Sequence, residues 1–287
     1  MYGDQSAGKS SVLEALTEIP FPRSDNLCIR FATEIVIRRA AAEFLAIRVV
    51  PDTARPTDEQ ERIKRFDRSI TDFNDLPEVM SEALVVMGIE SSDANSRAFA
   101  KDVLSIKIEG PTRPQLTVVD LPGIIQNETK GVTTSDLDLV HEITNSYISQ
   151  ERTICLAVVS ATNDYSNQPI LTKVRNFDKN GDRTLGIITK PDQLPSGSGS
   201  EKAFIELAQN NDIFFRLGWH VLKNRKFEET SFSFAERNAS EAEFFASSNF
   251  KILPLDSVGI DALRERLSLL LFEHVKQELL KLRDDLK

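Results

Sequence analysis

Near the start of the chain the octapeptide GDQSAGKS places Gly3, Gly8, Lys9 and Ser10 in the pattern G-x-x-x-x-G-K-[ST]. At average residue usage such a match arises by chance in on the order of one chain in a hundred of this length. Its chemistry is specific. The glycines let the backbone N–H groups from Gly3 through Asp4, Gln5, Ser6, Ala7 and Gly8 curl around phosphate oxygens. The helix that follows, entered at Ser10 and Ser11, adds its positive end. Lys9 is expected to reach the β- and γ-phosphates, and the Ser10 hydroxyl to ligate Mg²⁺. Such a loop sits at the end of a buried strand, yet only Met1 and Tyr2 precede Gly3. The expectation is therefore a sheet lacking its first, central strand, with unpaired backbone on the neighbours, and a chain truncated at its N-terminus.

The rest of the sequence reads as alternating strands and helices. Apolar runs at 33–39, 44–50, 103–110, 115–121, 153–160, 183–190 and 219–224 are strand-like. Helical patterns lie near 8–18, 57–72, 75–88, 133–149, 167–178, 201–209 and 234–247. That alternation predicts an α/β fold, a P-loop domain with a mixed, mostly parallel sheet covered by helices on both faces. The short connections predict antiparallel hairpins for 33–39 with 44–50 and for 103–110 with 115–121. From Ile260 the apolar positions Leu263, Leu267, Leu270, Val275, Leu279, Leu282 and Leu286 step by three to five residues along one amphipathic helix. The organisation expected is a nucleotide domain over 1–258 and, over 259–287, a helix leading to a helical bundle outside this chain.

Composition narrows the partners. A formal net charge of −9 argues against a nucleic-acid surface. Two cysteines, Cys28 and Cys155, cannot build a disulfide framework, and three scattered histidines do not suggest a metal cluster. No apolar run approaches a membrane span, so the expected location is the cytoplasm.

Three further stretches fit nucleotide chemistry, each at a strand end. LTVVDLPG offers Asp120 as a second Mg²⁺ partner and Gly123 for close approach of a backbone N–H to the γ-phosphate. GIITKPD offers Thr189, Lys190 and Asp192; a carboxylate there can accept from both N1–H and the exocyclic amine of guanine, a pair that adenine lacks. HVLKNR offers Asn224 and Arg225 to the base edge and ribose. Singly, each is an ordinary strand-end turn. Together and in order, they point to a GTP-binding domain.

GDQSAGKSSVLEAL, PFPR, RFATEIVIRR, TVVDLPGI, TKPD and KNR resemble the dynamin superfamily of large GTPases, in wording closest to its Mx-like and vacuolar-sorting branch. The resemblance implies Mg²⁺-dependent GTP hydrolysis, with GTP and GDP as ligands. It implies catalytic roles for Gln5 in positioning water, Ser6 in holding a monovalent cation (K⁺ or Na⁺), Lys9 on the phosphates, and Asp164 in a loop reaching across a G-domain homodimer. It also implies membrane remodelling or trafficking, peripheral membrane association and microtubule binding through regions outside this chain. At the family's switch threonine this chain reads Ile29, followed by Arg30, which predicts weakened hydrolysis with binding retained. A hydrolysis-weak switch or assembly module and an inactive fragment are the alternatives.

Overall fold

The computed structural model describes residues 1–21, 30–89, 97–111, 113, 115–124 and 133–285. Side chains of several residues after Lys276 are outside that description, as is Ile29.

Nine strands and eight helices alternate among these residues. Strands β1 (Tyr2–Gly3), β7 (Cys155–Ser160), β8 (Thr184–Thr189) and β9 (Trp219–Leu222) form a parallel four-stranded sheet in the order β1-β7-β8-β9. Strands β2 (Ala32–Arg39), β3 (Phe44–Val50), β4 (Asp67–Ile70), β5 (Val103–Gly110) and β6 (Leu116–Asp120) form a second sheet, ordered β4-β3-β5-β2-β6. The two meet at the N-terminus. Met1 donates from its ammonium to Val119 O and accepts from Leu121 N, bonds characteristic of parallel pairing. The result is the mixed, mostly parallel sheet expected.

The pairing corrects three expectations. β2 and β3 do not form a hairpin, because β5 lies between them, parallel to β2 and antiparallel to β3. β5 and β6 do not pair either, because β2 separates them. The helical pattern at 57–72 is a helix only over Thr57–Lys64; Asp67–Ile70 is an antiparallel edge strand on β3. That strand is short and charged, with Asp67 paired to Arg48 and Arg68 to Glu82, so no alternation betrayed it.

The phosphate loop does have a strand. Tyr2 and Gly3 pair with Ala157 and Val158, and Gly3 has no room for a side chain, since a Cβ would stand 2.4 Å from Val158 O. Beyond Met1, between β6 and β7, lies an apolar cleft of about 330 Å³, lined by Leu116, Val118, Ile154 and Leu156 among others.

Helices cover both faces. On one, α1 (Lys9–Thr17), α3 (Leu76–Met87) and the start of α8 (Ile260–Asp285) bury Leu13, Leu16, Leu84, Ile260 and Leu263 against β2, β3 and β5. On the other, α4 (Thr134–Ile148), α5 (Pro169–Phe177), α6 (Gly199–Ala208) and α7 (Phe234–Ser247) enclose Ile170, Val174, Phe204 and Phe245. Helix α2 (Thr57–Lys64) flanks β3. The α8 seam divides. Ile260, Leu263 and Leu267 are buried, whereas Phe272, Val275 and Leu279 are more than half exposed. No helix among the described residues is long and apolar enough to cross a membrane.

Candidate functional site

The site is assembled at the carboxyl ends of β1, β6, β8 and β9, the edge where open parallel sheets bind ligands. Between β1 and α1 the backbone turns tightly, with Ser6 and Gly8 both at positive φ (62° and 91°). Gly8 is required first by its φ of 91°, which L side chains rarely adopt, and space is also tight, because the Thr189 side chain stands 3.2 Å from where a Cβ would be. Thr189 in turn donates its hydroxyl to Ala7 O at 2.6 Å, so β8 braces the loop from beneath.

Lys9 is buried, and its ammonium donates to Gly3 O at 3.1 Å and Asp4 O at 3.0 Å. Those bonds span the mouth of the loop and hold the charge beside any phosphate bound there. Gly123 closes the opposite side; a Cβ on it would lie 3.0 Å from Lys9 Nζ and 3.1 Å from Gln5 N. The loop and this turn are joined directly: Ile124 N donates to Gly3 O and Gln5 N to Ile124 O. Ser10 and Ser11 lie at the first turn of α1, half-buried.

Asp120 ends β6, fully buried, and neither carboxylate oxygen meets a hydrogen-bond donor. Burial raises its pKa to about 6, against the opposing pull of Lys9, the Met1 ammonium and the Leu121 N–H, which itself donates to Met1 O. An ionisable oxygen pair left bare inside a protein is suited to a cation with its own waters. The residues therefore fit Mg²⁺. Thr33 is fixed in β2 directly opposite Asp120, so it is unavailable to replace Ile29 in the preceding segment.

The residues expected to read the base form a second cluster. Lys190, at φ 56°, donates to Ser6 O at 3.0 Å, tying the turn after β8 to the phosphate loop. Asp192 is nearly buried; its Oδ2 accepts no hydrogen bond and lies 3.6 Å from Lys226 Nζ. Asn224 follows β9, its Oδ1 accepting from Arg237 Nη2 at 2.9 Å.

Arg225 is placed differently from the expectation. The Arg225 guanidinium does not face the base side: it pairs with Glu14 on α1 at 2.7 Å, both side chains 7% exposed, and covers the Phe234 ring. It fastens the base-reading turn to the helix behind the phosphate loop. Asp164 is fully exposed and turned on its own backbone, accepting from Ser166 Oγ and Ser166 N, bonds that lower its pKa. The expectations for Gln5 and Ser6 rest on an exposed stretch of the loop. Ile29 lies outside the described residues.

Sequence reasoning missed the scaffold under the base-reading turn. Lys223 Nζ donates to both Glu229 oxygens at 2.7 Å and to Ser240 Oγ at 2.6 Å. Burial alone would raise the Glu229 carboxyl, but Lys223, the Lys226 N–H and Ser240 outweigh it and hold the pKa at about 2. Only the Lys-Asn-Arg run itself signalled these contacts, since the acidic partners lie on a neighbouring turn and on α7.

The comparisons with known proteins agree with this geometry. The Dynamin family model matches residues 1–191, and the Dynamin central region model matches 203–287. Among curated relatives, the interferon-induced GTP-binding protein Mx of Solea senegalensis is 28% identical over 292 residues, covering 100% of this chain and 44% of the relative. The interferon-induced GTP-binding protein Mx2 of Homo sapiens is 28% identical over 288 residues, covering 97% of this chain and 37% of the relative. Mx2 of Sus scrofa is 29% identical over 284 residues, with the same coverage, 97% and 37%. The chain thus spans less than half the length of these relatives. A loop braced by β8, a bare carboxylate ending β6, and one family model covering two thirds of the residues lead to one assignment: the chain belongs to the dynamin family.

Proposed function

We propose that the chain is a Mg²⁺-dependent GTPase domain that binds GTP and GDP and hydrolyses GTP when two copies face each other. The observation that carries the reading is a buried carboxylate, Asp120, that no donor satisfies, lying within the field of the buried Lys9 ammonium. Neither is stable packing on its own account; both are suited to a metal-bound polyphosphate.

Lys9, held by two loop carbonyls, faces the terminal phosphates and offsets their charge without reorganising. The N–H groups of the loop and of the first turn of α1 orient the phosphate chain, apart from those of Gln5 and Ala7, which donate to Ile124 O and Asp4 O. Ser10 and Asp120 would hold Mg²⁺, which supplies charge neutralisation between the two terminal phosphates when bound. Asp192 selects guanine by accepting from N1–H and the 2-amino group. Gln5 and Ser6, on the exposed side of the loop, position water and a monovalent cation, and Asp164 reaches the second copy. The exposed half of α8 docks on a helical bundle. Membrane and microtubule association, and a cytoplasmic location, belong to the longer protein and follow the family.

The supporting test is a titration with labelled GDP, competed by GTP and ATP, followed by phosphate release at rising protein concentration. GTP is expected to compete and ATP not; turnover per molecule is expected to rise with concentration and to stop in EDTA. Equal competition by ATP would defeat the guanine assignment, and concentration-independent turnover would defeat activation by pairing. Ile29 favours a second reading, binding with weak hydrolysis. On that reading Ile29→Thr raises turnover by up to about 10²-fold, the lower end for one catalytic group.

A further inference from the structure

Helix α7 carries Arg237 and Glu241 one turn apart, their side chains 2% and 3% exposed. Arg237 donates to both carboxylate oxygens, at 2.6 and 2.9 Å. Charges this deep are a weak source of stability, and apolar residues of similar size often serve as well. Their bonds suggest another use. Arg237 Nη2 donates to Lys223 O and Asn224 Oδ1, each at 2.9 Å. Glu241 accepts from Lys223 N at 3.0 Å and from Ile260 N at 2.8 Å. Three of these bonds thus fix the backbone and one side chain of the turn after β9, the fourth ties in the start of α8, and Lys226 of that turn stands beside Asp192.

The chemistry of the pair decides how Asn224 is oriented. A guanidinium only donates, so the amide atom facing it must be the oxygen; the flipped orientation would set NH₂ against N–H. With Oδ1 committed to Arg237, half-buried Asn224 has only its Nδ2 donor to offer a ligand. On guanine, the donors N1–H and N2–H suit Asp192. The acceptors N7 and O6 lie along the other edge.

We propose that Arg237 is a positioning residue for base binding: held by Glu241, it fixes the Asn224 amide as a donor to N7 of bound guanine. The inference rests on the guanine-binding reading above. It adds a purine contact distinct from the guanine-selecting carboxylate, and its support, Arg237, lies outside the strand-end motifs.

The test compares dissociation constants for GDP, 7-deaza-GDP and IDP in the parent, in Asn224→Ala, in Arg237→Lys and in Arg237→Met combined with Glu241→Gln. In the parent, 7-deaza-GDP should bind more weakly than GDP by roughly two- to tenfold, the range for one hydrogen bond. That ratio should fall to near one in Asn224→Ala and in both Arg237 variants. The GDP-to-IDP ratio, read by Asp192, should stay. A purely structural role for Arg237 would weaken all three nucleotides together and leave the 7-deaza ratio intact, which would overturn the proposal. A ratio near one in the parent would overturn it too, even if neither Arg237 variant folds, because Asn224→Ala removes only a half-buried side chain. A parent that binds no GDP would instead defeat the functional reading beneath it.

Discussion

Replacing Asp120 by Asn should make the metal-free protein more stable and the nucleotide-bound protein less so. The carboxyl is fully buried with no donor on either oxygen, and its pKa is raised from 3.8 to about 6. For an acid whose folded value is raised, the folded state carries a penalty that is fully present above about 6 and absent below 3.8. Near neutral pH that difference corresponds to about 3 kcal/mol. Asparagine has nearly the shape of the neutral acid, so Asp120→Asn should recover most of it. In a protein of this size about 3 kcal/mol shifts Tm upward by roughly 5 °C or more.

The assay is thermal unfolding followed by circular dichroism, in EDTA and again with Mg²⁺ and saturating GDP. In EDTA the variant should melt above the parent near neutral pH, and the gap should close as pH falls towards 4. With GDP at 1,000 times its Kd the order should reverse, since that stabilises the parent by about 4.1 kcal/mol, more than the penalty of about 3 kcal/mol. A variant that melts below the parent in EDTA would refute the reasoning. It would mean that Asp120 holds the fold together and is not kept bare for a cation.

Four further outcomes are expected. Gly186→Ala places a Cβ 2.2 Å from the Trp219 ring and should destabilise by about 1–3 kcal/mol in chemical denaturation, the range for overpacking. Asp192→Asn should exchange guanine for xanthine preference in competition binding, since an amide can donate to the second carbonyl of xanthine. Glu229, held at about 2 against a usual 4.5, contributes stability that is present above 4.5 and lost as pH falls through about 2. Glu229→Gln should therefore lower Tm near neutral pH and have little effect in strong acid. Adding four or five apolar, β-branched residues before Met1 should raise Tm more than an equally long polar extension; equal effects would show that the cleft between β6 and β7 does not take a strand.

Seven of the strands were legible because each is an apolar run bounded by turn residues. Their neighbours were not. The insertion of β5 between β2 and β3 depends on pairings such as Ile35 with Ile106 and Ile47 with Ile106, more than 50 positions apart, and short connections misled the hairpin reading. The phosphate loop, Asp120 and Asp192 were legible as candidates because each lies within a short local motif, and the structure gathers them at one edge of the sheet. Arg225 was not, because its partner Glu14 stands 211 positions away and burial hands the guanidinium to it. Arg237 and Glu241 stand one turn apart on a charged helix, a spacing common on exposed faces, and only the fold turns that face inward.

The distribution of unmet hydrogen bonds is itself an argument for where a ligand belongs. Buried carboxylates elsewhere are closely held: Asp102 by Arg55 and Asp52 N, Asp178 by Asp182 N, Arg183 N and Thr184 Oγ1. Among the described residues, every buried carboxylate oxygen without a donor belongs to Asp4, Asp120 or Asp192. All three lie at the nucleotide edge of the sheet: one in the phosphate loop, one after β6, one after β8. Poor packing would scatter such oxygens through the core, since desolvating an acceptor costs about 1–3 kcal/mol wherever it occurs. Concentrated here, the cost falls where incoming groups would repay it: a hydrated cation at Asp120 and base N–H donors at Asp192. The apo domain is then less stable than its packing alone would make it, and binding should raise the unfolding temperature by more than phosphate contacts with exposed N–H groups would. Measured with GDP and with inorganic pyrophosphate, both with Mg²⁺ and at equal free concentration, the shift should be larger for GDP, whose Kd is lowered by the base donors that satisfy Asp192.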